Sequence, residues 1–208
     1  MDVPRSARTS SSRLGASEDG SRSTGDLHMR DSSDDEKTET RFVNEDKCIC
    51  LVPDTDFCIG SIESRHPDLL EKYNIRLIVT ILGIHERTEI TKDGEIEKCY
   101  RADGTSIRQI LYHLVDMPGS NIIPIIRDVQ KEVSLFWLNR KKAGNILFHC
   151  MAGISRSPSV VIGLLMCEGK TYEEAYEKIM EVREIEPDPC FIYQLASLDA
   201  VLKKMEIL

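Results

Sequence analysis

A single α/β domain, with a central and mainly parallel sheet flanked by helices and preceded by a disordered tail, is the fold class that the 208-residue sequence predicts. Three observations carry this expectation. Composition changes near residue 45, so only the remainder has the pattern of a packed domain. Within that remainder, short β-branched apolar runs alternate with stretches of helical apolar period. No internal repeat interrupts the alternation, and no apolar run approaches the roughly 20 residues that span a bilayer.

Residues 1–45 are rich in Ser, Arg and Asp. Ser10, Ser11 and Ser12 stand together, and Leu14, Leu27, Met29 and Phe42 are almost the only large apolar side chains. Such a segment cannot bury enough surface to offset its ordering entropy, so disorder is expected. Its acidic run includes Asp31, Asp34, Asp35 and Glu36. Ser32 and Ser33 beside it are either targets of an acid-directed kinase or part of a solvated tail. The folded domain is placed at 46–208. Strands are expected at residues 57–59, 77–82, 107–115 and 146–148, which are short and β-branched. A short helix is expected over 66–74. Ile125, Ile126, Val129, Val133, Phe136 and Trp137 mark one face of a longer helix stopping near Gly144. The next helix spans 157–168, with Pro158 tolerated in its first turn. Thr171 and Glu174 form a capping box that opens a helix to about residue 184. A last amphipathic helix runs from about 191 to 205. Within the charged stretch 86–104, Lys92-Asp93-Gly94 is a turn signal for a surface hairpin.

The formal net charge of −8 argues against a general nucleic-acid binder, whose affinity rests on Lys and Arg neutralising phosphates. A small local anion site is still compatible with it. Seven cysteines fit no small disulfide scaffold and suggest a reduced intracellular protein. The N-terminus lacks the apolar core of a signal peptide, and Asp2 stands where myristoylation needs Gly. Cytoplasm or nucleus is the expected address, with no membrane association. Cys48-x-Cys50 is spaced too closely for a usual zinc pair, and no metal is expected.

The segment His149-Cys150-Met151-Ala152-Gly153-Ile154-Ser155-Arg156-Ser157 follows one strand directly and leads into a helix. A loop between a strand end and a helix N-terminus is suited to an anion, because backbone N–H groups converge there and the helix dipole adds favourable potential. Gly153 permits the tight backbone of a cradle, and the planar fork of Arg156 can hold two phosphate oxygens at once. The same groups would stabilise a Cys150 thiolate at the floor, making it a nucleophile poised beside a bound phosphoryl group.

These residues resemble the H-C-x(5)-R-[ST] signature of the cysteine-dependent protein tyrosine phosphatase superfamily. The A-G-x-S-R-S form is similar to its small, atypical dual-specificity members. The resemblance covers roughly residues 48–206 and implies a protein tyrosine phosphatase-like fold. It implies that Cys150 is the nucleophile, that residues 151–156 (Met151, Ala152, Gly153, Ile154, Ser155, Arg156) bind the phosphoryl oxygens, and that Ser157 hydrogen-bonds the departing thiolate. The family also places an acid on a loop roughly thirty residues upstream, after a strand. Asp116-Met117-Pro118-Gly119 matches it, so Asp116 is the expected general acid; Asp103 is the weaker candidate. His149 either orients the loop or is merely packed. The later segment from Arg183 to Leu195 also matches, except that Asp188 stands where Asn is usual, which is expected to alter a hydrogen bond supporting the phosphate loop. No cofactor is implied. The uncharged Met151, Ala152, Ile154 and Ser155 favour phosphotyrosine, phosphoserine and phosphothreonine proteins over polyanionic lipid headgroups. A MAP kinase pathway member is one such partner, and a monomer is expected. Two alternatives are a phospho-binding pseudophosphatase and an enzyme on a lipid, glycan or RNA-end phosphate.

Overall fold

The computed structural model describes residues 47–92, 95–101, 104–140 and 144–205. The tail expected over 1–45, Asp103 and the Asp93-Gly94 turn lie outside the described residues. The chain opens with β1 (Ile49–Leu51) and β2 (Phe57–Gly60), an antiparallel pair. Then come α1 (Pro67–Lys72), β3 (Ile75–Leu82), the small antiparallel hairpin β4 (Thr91–Lys92) and β5 (Glu95–Ile96), and β6 (Arg108–His113). The remainder is α2 (Ile123–Arg140), β7 (Asn145–His149), α3 (Arg156–Cys167), α4 (Tyr172–Met180) and α5 (Pro189–Met205). The main sheet has the order β1-β2-β7-β3-β6, and only β1 is antiparallel to its neighbour. This is the mainly parallel sheet that the alternation of strands and helices predicts.

The two faces of β7 explain its central place. Ile146 and Phe148 join the larger core cluster, with Val129 of α2, Val161 of α3, Ile179 of α4 and Leu195 of α5. Leu147 points the other way, into a smaller cluster with Leu70 of α1, Ile75, Ile78, Cys99 and Ile107. A strand covered on both faces has no solvent side, so it shows a continuous apolar run rather than alternation. β3 is buried almost throughout for the same reason. Gly60, His149 and Thr80 lie in register across β2, β7 and β3. The loops that follow β2, β3, β6 and β7 therefore emerge at one sheet edge, the carboxyl ends of the parallel strands, where open α/β sheets hold ligands.

Two elements differ from the sequence expectation. β1 has only three residues, too few to show a period. α4 stops at Met180 rather than near residue 184. Its capping box is present, with the Thr171 hydroxyl accepting from the Glu174 N–H and the Glu174 carboxylate accepting from the Thr171 N–H. Beyond Met180 the chain is drawn toward the loop after β7. Arg183 donates from Nε to the Gly153 carbonyl at 2.6 Å, and the Glu186 N–H donates to the Ile154 carbonyl at 2.8 Å. Pro187 and Pro189 then supply no N–H for a helical ladder. All seven cysteines are free thiols. No helix among the described residues is long and apolar enough to cross a membrane.

Candidate active site

β7 ends at His149, and the next residue, Cys150, is buried at the floor of the loop that leads into α3. Its Sγ accepts from the Gly153 backbone N–H at 3.2 Å and from the Ser157 hydroxyl at 3.4 Å. Gly153 has φ +73, and a Cβ there would come within 2.5 Å of the Gly60 carbonyl oxygen and 2.6 Å of an Arg183 nitrogen. The position excludes every side chain, by backbone conformation and by space. Arg183 braces the loop from behind, donating to the carbonyls of Gly153, Ala152 and Lys47. With the Ala152 and Gly153 carbonyls held by Arg183, the Gly153 N–H is directed at the Cys150 sulfur, as convergent N–H groups of an anion cradle require.

A cavity of about 740 Å³ opens over Cys150. Met151, Ala152, Ile154, Ser155 and Arg156 line it from the loop, and Asp116 and Asp188 line it from neighbouring segments. Gly153 and Ser157 lie beneath, acting on the sulfur. Asp116 follows β6. One of its carboxylate oxygens accepts from the Ser155 hydroxyl at 2.9 Å, and the other lies 3.6 Å from Arg156 Nε. Ser155 caps α3 with no side-chain bond to its N–H groups, so its hydroxyl is free to hold Asp116. The loop carrying Asp116 is tied to α5: the Gln194 amide donates to the Ser120 carbonyl at 2.7 Å and accepts from the Ile122 N–H at 2.9 Å. Among the residues singled out in the sequence, the structure thus brings Cys150, Asp116, Ser155, Arg156 and Ser157 to one place.

Glu86, which no motif in the sequence singles out, is also there. It sits on a 3₁₀ segment, His85–Ile90, just beyond the carboxyl end of β3. Both its oxygens accept from Arg156: Oε1 from Nη2 at 2.8 Å, and Oε2 from Nη1. The Gly83 N–H donates to the same carboxylate at 2.7 Å. Arg156 is almost fully buried, and Nη1 donates also to the Leu114 carbonyl at 3.3 Å. Burial alone would lower the pKa of this guanidinium, but Glu86, Cys150 and Asp116 together push it up. The hydrogen bond from Arg156 holds the Glu86 carboxyl below its usual range. The one sequence signal for Glu86 was position, an acid at the end of a parallel strand beside β7.

His149 is fully buried, and its Nε2 lies 2.7 Å from the Thr80 hydroxyl, with Nδ1 3.4 Å from the Cys150 carbonyl. It both packs and ties the strand end to the loop. Burial pushes its pKa down to about 3, so it is neutral. The expectation for Asp188 needs correction. Its carboxylate accepts from the Cys190 N–H at 2.8 Å, capping the start of α5, while its backbone N–H donates to the Ser155 hydroxyl at 3.0 Å. The bond that supports the loop is made by main chain, which the change from Asn leaves intact. The side chain is used as an acceptor, a role Asp fills as well as Asn. Among the described residues no cluster of His, Cys, Asp and Glu has the arrangement of a metal site.

The model of the dual specificity phosphatase catalytic domain matches residues 59–200, and the chain belongs to that family. Dual specificity protein phosphatase 15 of Rattus norvegicus is 31% identical over 136 residues, 64% of this chain and 50% of its own length. The protein-tyrosine-phosphatase MKP1 of Arabidopsis thaliana is 29% identical over 152 residues, 72% of this chain and 17% of its own. The chain thus spans half or less of the length of these curated relatives. The human tyrosine phosphatase-like serine/threonine/tyrosine-interacting protein shares the fold, with a TM-score of 0.61 and 24% identity over 75% of this chain and 98% of its own.

Proposed function

We propose that this domain hydrolyses phosphotyrosine, phosphoserine and phosphothreonine in proteins through a cysteinyl-phosphate intermediate. The observation that carries this reading is the buried Cys150 sulfur, which accepts from the Gly153 N–H and the Ser157 hydroxyl in the cavity that also holds Arg156 and Asp116. In the first step the Cys150 thiolate attacks phosphorus, forming a P–S bond as the bond from phosphorus to the substrate oxygen breaks. Protonated Asp116 gives its proton to that departing oxygen, which would otherwise leave slowly as an alkoxide or phenolate. In the second step a water attacks phosphorus and gives a proton to the Asp116 carboxylate. The P–S bond breaks, and the electron pair returns to sulfur, where the Ser157 hydroxyl donates to the thiolate. Arg156 and the loop N–H groups compensate charge on the non-bridging oxygens in both steps.

Protein substrates are favoured by the uncharged Met151, Ala152, Ile154 and Ser155 on the loop, which offer a polyphosphorylated headgroup no further cation. Turnover rather than phospho-binding alone is supported by Cys150, Arg156 and Asp116 all lining the one cavity. The test is hydrolysis of a chromogenic aryl phosphate with chelator and reductant present, comparing the protein with Cys150→Ser. Activity is expected in the first and a loss of at least a thousandfold in the second. Retained activity in Cys150→Ser would sink the nucleophile assignment.

A further inference from the structure

We propose that the pocket selects substrates carrying Lys or Arg next to the phosphorylated residue, and that Glu186 is the residue that recognises this cation. The proposal rests on the phosphatase reading and specifies the substrate class of the same site. One guanidinium and four carboxylates line the cavity over Cys150: Arg156 against Glu86, Asp116, Glu186 and Asp188. The guanidinium marks the anion seat, because buried Arg156 Nε has no hydrogen-bond partner and lies 3.6 Å from an Asp116 oxygen. Three of the carboxylates are engaged. Glu86 holds the two terminal nitrogens of Arg156, Asp116 accepts from Ser155, and Asp188 caps α5.

Glu186 differs from these three. It is exposed, its place is fixed by the backbone bond to Ile154, and its carboxylate has no ion-pair partner among the described residues. Arg183, three residues earlier, directs its hydrogen bonds to the carbonyls of Lys47, Ala152 and Gly153 and forms no ion pair with Glu186. A phosphate seated on Arg156 therefore sits in a cavity whose lining includes the exposed Glu186 carboxylate, which has no ion-pair partner among the described residues. A substrate with acidic neighbours, or with further phosphates, meets repulsion there, whereas a cationic neighbour meets Glu186. Ile154 and Ile192 line the same rim and are partly exposed, at 41% and 37%. They offer apolar surface for the methylene stem of a Lys or Arg whose charged end stays at the water boundary.

The test uses two phosphotyrosine peptides that differ only in the residues flanking the phosphotyrosine, Lys in one and Glu in the other. An aryl phosphate and a soluble inositol trisphosphate are run beside them. Exposed charge pairs give a few-fold each, so the ratio of kcat/KM for the Lys peptide over the Glu peptide is expected to be roughly tenfold at low salt. It should shrink in 0.5 M NaCl, fall to about two- to threefold in Glu186→Gln and reverse in Glu186→Lys. A ratio near one, a ratio indifferent to Glu186, or one indifferent to salt overturns the selection while aryl phosphate turnover leaves the phosphatase reading standing. Faster hydrolysis of the inositol trisphosphate than of the Lys peptide overturns it too. Silence of the unsubstituted protein toward aryl phosphate and both peptides removes the two readings together.

Discussion

At the scale of single residues, the site depends on how a buried charge is held. Arg156 has a side chain 6% exposed and is fixed by a carboxylate 29% exposed, so the pair is screened on one side only. Replacing Glu86 with Gln keeps one acceptor oxygen and removes the charge. The guanidinium then loses the carboxylate that orients it over the cavity. For Glu86→Gln, kcat/KM is expected to fall about tenfold, most of it in KM, with a stability loss of about 1–2 kcal/mol after discounting for solvent. A fall confined to kcat would instead give Glu86 a part in the chemistry. Because Arg156 holds the Glu86 carboxyl low, this contribution is present above the unfolded carboxylate pKa and is lost only as pH falls through the depressed folded value. His149 sets a different window. Neutral in the fold with a pKa of about 3, it takes up a proton on unfolding as soon as pH drops below the ordinary histidine value. The unfolded state then binds more protons, so stability falls with decreasing pH, at up to about 1.4 kcal/mol per unit. Unfolding free energies from urea titrations between pH 6.5 and 5, above the carboxylate range, should decline toward this slope. A flat profile would mean that His149 titrates in place.

At the scale of elements, the loop between β7 and α3 works because its backbone is forced. Gly153→Ala places a Cβ against the Gly60 carbonyl and Arg183 in a left-handed conformation. It is expected to lower the urea-derived stability by about 2 kcal/mol and aryl phosphate turnover more than a hundredfold. An active Gly153→Ala with unchanged midpoint would show that the loop has slack. This loop was legible in the sequence because Cys150, Gly153 and Arg156 are local to it, and the strand and helix around it have strong periodic signals. Asp116 was legible through its family spacing, and its position follows from β6 lying next to β3. Glu86 was not legible. Its contact with Arg156 joins the first residue of α3 to a segment 70 residues earlier, and the 3₁₀ segment around it has no period to mark it. The end of α4 was missed for a related reason. Local helix propensity continues past Met180, and only the tertiary bonds of Arg183 and Glu186 to the phosphate loop show why the helix stops. Asp188 was misjudged because a sequence comparison assigns support of the loop to a side chain, whereas the main chain provides it.

At the scale of the whole molecule, the question is where the catalytic unit begins. The main sheet, both core clusters and all the residues around the cavity lie between Ile49 and Met205. Residues 1–45 have few large apolar side chains, so their removal takes little from any core. Deleting 1–45 is expected to leave aryl phosphate turnover within about twofold and stability within about 0.5 kcal/mol. A deletion seven residues longer should behave differently. It removes β1, whose Ile49 and Cys50 are buried, together with buried Val52. It also removes the Lys47 carbonyl that holds one arm of Arg183, and Arg183 braces Ala152 and Gly153 beside Cys150. Loss of three buried side chains is worth several kcal/mol, of the order of the total stability of a small domain. Deletion of 1–52 should therefore give a poorly folded, inactive protein, read out by urea midpoint and aryl phosphate turnover. If the shorter deletion already abolishes both, residues before 46 are part of the packed domain. If the longer one leaves both intact, the antiparallel edge strand contributes neither to the core nor to the brace behind Cys150.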